Sequence, residues 1–184
     1  MTERKKAICV FCSSSSKIEP HFFEMARTMG SLIGSNGFDL VYGGTNVGLM
    51  VNVAKNARKE GARVIGIIPR QFESKAIAET EIDELIVTPN MAERKARMVE
   101  RADAFVVLPG GFGTLEELFE VMSLKIIGQH THPIIILNYR GYYSALIDQF
   151  STIYEERFAA DYLASFYHIA ATPTEVIACI LNAS

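Results

Sequence analysis

Short apolar runs rich in β-branched and aromatic residues alternate along this chain with longer stretches in which apolar residues recur every three or four positions. The runs over 7–12, 38–42, 62–68, 84–87, 103–108 and 133–138 read as strands, and the stretches over 20–35, 47–60, 91–101, 115–127, 142–156 and 174–181 as helices. Pro20 fits the first turn of the first helix. Strands joined through helices of this length pair in parallel, so the pattern predicts an α/β fold: one domain over residues 1–184, with an open, doubly wound, mainly parallel sheet and helices on both faces. Such sheets bind ligands beyond the carboxyl ends of their strands, near the switch in strand order. Five connections fall there: Ser13 to Ser16, the Gly43 loop, the stretch from Pro69 to Asp83, Pro89-Asn90, and the segment after Leu108. The Pro69 to Asp83 stretch, with Glu73, Glu79, Glu81 and Asp83, reads either as a lid or as a solvated connection.

One helix departs from simple amphipathicity. Between positions 114 and 127 stand Leu115, Leu118, Phe119, Val121, Met122, Leu124, Ile126 and Ile127, more than one apolar stripe needs. It is expected to be covered on more than one side, within the monomer or in a two-fold homodimer, and the dimer is the preferred reading.

Composition narrows the class of partner. With 49% hydrophobic residues over 184 positions the chain can bury a full core, and its net charge of −3 offers no electrostatic footprint for nucleic acid. The apolar run at 7–12 is too short for a signal-peptide core or a membrane span, so a cytoplasmic protein acting on a small molecule is expected. Cys9, Cys12 and Cys179 are an odd set without a disulfide framework. Cys9-x-x-Cys12 lies in a strand, where residues three apart face opposite ways, so it is not a redox pair. His21, His130, His132 and His168 are scattered, with His130 and His132 in an expected surface connection, and no metal site is expected.

Two glycine-rich loops carry the candidate chemistry. Pro109-Gly110-Gly111-Phe112-Gly113-Thr114-Leu115-Glu116-Glu117 joins a strand end to a helix start. There glycine lets backbone N–H groups approach an oxyanion, and the helix dipole favours negative charge. Neither common fingerprint fits. Glu116 stands where the third glycine of a dinucleotide loop belongs, and in Gly43-Gly44-Thr45-Asn46-Val47-Gly48 the following Leu49 and Met50 replace the Lys and Ser/Thr of a nucleoside-triphosphate loop.

Two side chains stand out beside these loops. In Met91-Ala92-Glu93-Arg94-Lys95-Ala96-Arg97, Glu93 and Arg97 have the spacing of a solvated i,i+4 pair. Arg94 has no carboxylate three or four residues away, so its partner is non-local or a ligand. Glu117 has two readings. Thr114-Leu115-Glu116-Glu117 satisfies the T-x-x-E capping box, with Glu117 as the reciprocal cap; a carboxylate beside a phosphate cradle can also act in catalysis. Local sequence leans to the cap and leaves catalysis open, and Glu116 competes for either role.

The glycine segment resembles the PGGxGTxxE motif, and Met91 to Lys95 the MHxRK element, of the Lonely Guy (LOG) phosphoribohydrolases, long labelled lysine decarboxylases. Val41-Tyr42-Gly43-Gly44, Val47-Gly48-Leu49-Met50, Phe11-Cys12 with Ser14, and Asn138 with Gly141-Tyr142-Tyr143 extend the likeness across nearly the whole chain. The resemblance implies a Rossmann-like homodimer that hydrolyses the N-glycosidic bond of a nucleoside 5'-monophosphate, such as a cytokinin riboside monophosphate or AMP, releasing base and ribose 5-phosphate without a cofactor. By motif position Arg94 and Glu117 would be catalytic. Gly110, Gly111, Phe112, Gly113, Thr114, Leu115 and Glu116 would hold substrate together with Ser14, Gly43, Gly44 and Met91, and Lys95 would line the pocket. Ala92 replaces the family's usual His, Val51 and Ser13 replace glycines, and no Trp follows the motif helix. These departures leave an alternative in which the chain binds or senses nucleotides without hydrolysing them.

Overall fold

The computed structural model describes residues 5–73 and 82–183, and its described strands form one seven-stranded sheet. In chain order the elements are β1 (Ala7–Phe11), α1 (Pro20–Ser35), β2 (Asp39–Tyr42), α2 (Gly48–Lys59), β3 (Val64–Pro69), α3 (Arg70–Glu73), β4 (Glu84–Thr88), α4 (Met91–Arg101), β5 (Ala104–Val107), α5 (Phe112–Ile126), β6 (Ile134–Leu137), α6 (Ser144–Glu155), β7 (His168–Ala170) and α7 (Pro173–Asn182). Short 3₁₀ turns at Tyr139–Gly141 and Asp161–Phe166 flank α6. The strand order is β4-β3-β2-β1-β5-β6-β7, and all six pairings are parallel. The expected doubly wound architecture is therefore present, with its switch in strand order between β1 and β5.

Alternation along the central strand builds two cores. Ile8 and Val10 face α1, α2 and α7, while Ala7, Cys9 and Phe11 face α4, α5 and α6. The same alternation sends Cys9 and Cys12 to opposite sides, as their spacing predicts. Glycine enables the closest helix contact: at Gly30 a β-carbon would collide with the Val53 carbonyl oxygen of α2. This tight α1–α2 packing fixes the connection that leaves β2.

Four local readings change. α5 starts at Phe112, with Gly111 as its N-cap and no side-chain cap, so Thr114 and Glu117 do not form a capping box. The i,i+4 pair also fails: Arg97 pairs with Glu100 at 2.7 Å, while Glu93 exchanges hydrogen bonds with Asn90, the N-cap of α4. His130 is buried, stacked on His132 and bonded through Nε2 to the Val121 carbonyl, rather than lying in a surface connection. Within the monomer α5 buries one stripe, Thr114, Glu117, Leu118 and Val121, and leaves Phe119 and Ile126 exposed. Of the Pro69 to Asp83 stretch, Arg70 to Glu73 form the helical turn α3 and Asp83 accepts from the Val64 N–H at 2.8 Å. Glu79 and Glu81 lie outside the described residues.

Candidate active site

α4 is a polar helix whose buried residues are Arg94 and Met98, one turn apart. Asn90 sets its start by accepting the Glu93 N–H at 2.9 Å, which turns Arg94 toward the sheet. The guanidinium donates from Nε to the Ile67 carbonyl of β3 at 3.0 Å and from Nη1 to Glu117 Oε1 at 2.7 Å. Glycine at position 43 is required for this arrangement, because a β-carbon there would lie 2.5 Å from Arg94 Nη2. Arg94 thus has the non-local partner that its sequence context predicts.

Glu117 occupies a core position in the buried stripe of α5, where an apolar residue would be expected. The side chains of Arg94 and Glu117 are only 6% and 7% exposed, so the pair is an ion pair taken almost wholly out of water. Among the described residues Arg94 is the only hydrogen-bonding partner of Glu117, and its second carboxylate oxygen is left for a ligand. Burial raises the Glu117 pKa above its ordinary value, and the Arg94 charge and hydrogen bond oppose that rise without cancelling it. Burial also pushes the Cys9 and Cys12 thiols up, with Glu117 adding to the effect, so both stay protonated and neither is a nucleophile.

Both charged groups line a cleft of about 590 Å³ at the carboxyl ends of the central strands, a volume suited to a small ligand. On the β1 and β5 side stand the hydroxyls of Ser13, Ser14 and Ser15, then Gly111 to Thr114 at the start of α5, with Phe112 as the one large apolar side chain. The first N–H groups of that helix have no intrahelical acceptor and, with the dipole, favour an anion. On the β2 and β3 side Val47, Met50, Pro69 and Phe72 make an apolar wall, to which α4 adds Met91. An anion subsite, an apolar subsite and a buried acid–base pair therefore share one cavity.

The glycines of the two loops differ in what demands them. Gly44 and Gly48 have φ of 74° and 60°, and a β-carbon on Gly48 would collide with the Ser14 backbone. Gly111 and Gly113 have negative φ, and a β-carbon on either meets nothing within 4 Å. No described residue meets a β-carbon at either position, and both glycines line the cleft.

Over residues 50–180 the sequence matches the family described as "Possible lysine decarboxylase". It is also 42% identical over 155 residues to LOG7 of Arabidopsis thaliana, a cytokinin riboside 5'-monophosphate phosphoribohydrolase, across 84% of this chain and 71% of that protein. The chain belongs to the LOG family. LOGL6 of Oryza sativa subsp. japonica, a probable enzyme of the same description, is 37% identical over 177 residues, covering 96% of this chain and 71% of its own. Among solved structures the molybdenum cofactor carrier protein of Chlamydomonas reinhardtii superposes with a TM-score of 0.75 over 98% of both chains, at 23% identity, and shows the shared fold.

In this LOG-family chain, nine of the fourteen residues singled out from sequence line the cleft: Ser14, Gly43, Met91, Arg94, Gly111, Phe112, Gly113, Thr114 and Glu117. The other five do not. Gly44 packs on β3, Gly110 sits under Thr114, and Leu115 packs against the core. Lys95 is bonded to Glu116 and Glu120, and Glu116 is half exposed, so both form a bridge outside the cleft. For Lys95, burial lowers the pKa, but the bonds from the two glutamates outweigh it and the net shift is upward. Cys12, Ser13, Ser15, Thr45, Val47, Met50, Pro69 and Phe72 also line the cleft, although none of them had been given a site role from sequence. Their signal was topological, since each lies at a strand's carboxyl end, in the connection that leaves it, or in the first turn of the helix that follows.

Proposed function

We propose that this protein hydrolyses the N-glycosidic bond of nucleoside 5'-monophosphates, releasing free base and ribose 5-phosphate. The observation that carries the reading is the buried Arg94–Glu117 pair, set in one cleft with an anion-binding helix start and an apolar wall. The identity to LOG7 and LOGL6 supports it. The 5'-phosphate takes the N–H groups of Gly111 to Thr114 with Ser14, and the base lies against Met50, Phe72 and Met91. Breaking the bond builds positive charge on the sugar, which the ionised Glu117 stabilises while it orients a ribose hydroxyl or the attacking water. Arg94 cannot act as a base at neutral pH; it holds Glu117 ionised and offers its remaining N–H groups to the departing base. AMP and N6-substituted adenosine monophosphates are the substrates this cleft suits, the apolar wall accepting the substituent.

Chemistry disfavours the decarboxylase description. A pyridoxal mechanism needs a lysine to form a Schiff base, and among the described residues no lysine lines the cleft; the nearest in sequence to the pair, Lys95, is committed to Glu116 and Glu120.

We further infer a homodimer through the outer face of α5. Phe119, Met122, Ile126, Phe150, Ile153 and Phe166 line an apolar groove between α5, α6 and the turn after it. Phe119 and Ile126 of this groove are exposed, and exposed apolar surface supports the reading of a subunit contact. No helix among the described residues is long and apolar enough to cross a membrane. Incubation with AMP, followed by chromatography of the free base, tests the reaction. Nucleotide-induced thermal stabilisation without base release would instead select the binding or sensing alternative.

A further inference from the structure

The β6–α6 connection places two neighbouring tyrosines beneath the glycine loop, and each spends its hydroxyl on a loop carbonyl. Tyr143 Oη donates to the Leu108 carbonyl and Tyr142 Oη to the Gly110 carbonyl, both at 2.8 Å. The connection is shaped to present them: Arg140 and Gly141 have φ of 54° and 76°, and the Asn138 side chain accepts the Tyr143 N–H at 2.7 Å. Although Tyr142 is 46% exposed, its ring stands edge-on to Tyr143 at 4.9 Å and to Phe22 of α1 at 5.7 Å, which fixes the direction of its hydroxyl.

The two bonds have different consequences because a trans peptide points its C=O and the following N–H in opposite directions. None of the described peptides is cis. Tyr143 therefore orients the Leu108–Pro109 peptide, which carries no N–H, and its hydroxyl also faces the N–H of Gly110, a residue that does not line the cleft, so its contacts hold the loop backbone without aiming an N–H at a ligand. Tyr142 orients the Gly110–Gly111 peptide, whose N–H belongs to a cleft-lining residue and has no acceptor among the described residues. With the Gly110 carbonyl drawn to Tyr142 on the far side of the loop, the Gly111 N–H is turned toward the cleft.

We propose that Tyr142 is a positioning residue: by holding the Gly110 carbonyl it aims the Gly111 N–H at the phosphate of the substrate. This rests on the phosphate placement given above and adds the residue that sets it. Tyr142 touches no substrate itself, and Tyr143, one position on, is the internal control.

The test compares the full-length wild type with Tyr142→Phe and Tyr143→Phe by calorimetric titration with ribose 5-phosphate, by AMP kinetics and by thermal denaturation. Tyr142→Phe is expected to weaken ribose 5-phosphate binding about fivefold and to raise KM for AMP in proportion, with kcat and melting temperature nearly unchanged. Tyr143→Phe is expected to lower the melting temperature while affinity stays within about twofold of wild type. Undiminished ribose 5-phosphate affinity in Tyr142→Phe overturns the proposal, as does an equal loss of affinity for adenosine, which lacks the phosphate. Affinity and base release are separate readouts. A wild type that binds ribose 5-phosphate but releases no base refutes the hydrolase reading alone, and one that does neither refutes both.

Discussion

Two ion pairs bridge α4 and α5, built from adjacent residues of the same two helices, and they differ in almost everything but sign. Arg94–Glu117 is buried at the base of the cleft, whereas Lys95 meets Glu116 and Glu120 on the outside, where Glu116 is 53% exposed. Adjacent helical residues point about 100° apart, so Arg-Lys on one helix and Glu-Glu on the other deliver one pair inward and one outward. The inner pair has lost its water, which makes its charges strong, costly and available to a substrate. The outer pair is only partly covered, with the Lys95 side chain 18% and Glu116 53% exposed, and contributes less than the inner one. Burial, not pairing, separates the chemistry from the scaffold.

The largest effect is expected at the inner carboxylate. Glu117→Ala should lower base release about 10³-fold with the fold retained, as shown by steady-state kinetics beside circular dichroism. If the outer pair carried the chemistry, Glu116→Ala would show that loss instead. Arg94→Ala should also abolish most activity, and because it strands Glu117 in a dry site it should cost about 3 kcal/mol of stability by denaturant unfolding.

Acidity separates the two pairs next. The Glu117 pKa is raised above 4.5 in the folded protein, so loss of activity on acidification should set in above that value. Stability moves the other way. A carboxyl group with a folded pKa above its unfolded one binds protons more tightly when folded, so its contribution favours the fold increasingly as pH falls through the folded pKa. Subtracting the stability profile of Glu117→Gln from that of the wild type isolates this contribution.

Much of this was legible in the chain. Alternation of apolar runs and amphipathic stretches yields six strands, six helices and the carboxyl-end location of the site, and the missing local partner of Arg94 points to a distant one. β7 escaped because three residues, two of them exposed, show no alternation. The start of α5 escaped for a different reason: Gly111 and Gly113 read as loop, yet Phe112 and Gly113 are its first turn, and moving the start moves Glu117 from cap to core. Lys95 and Glu116 could not be told from Arg94 and Glu117, since only the packing of α4 on α5 decides which member of each doublet turns inward.

The glycine contrast makes a smaller prediction. Gly111→Ala should raise KM for AMP about tenfold, roughly 1.4 kcal/mol, while the melting temperature falls only slightly through the poorer N-cap, because the added methyl group meets no described residue at the cleft wall. Smallest of all is the outer pair: Lys95→Ala should cost less than about 1 kcal/mol of stability and change kcat/KM by no more than about threefold.

The most direct test of the account is base release from AMP by Glu117→Gln, which removes the charge and keeps the shape, measured beside ribose 5-phosphate binding on the same preparation. The account predicts that binding persists while release of adenine falls to background. Release at the wild-type rate by a folded, ligand-binding Gln variant would contradict it.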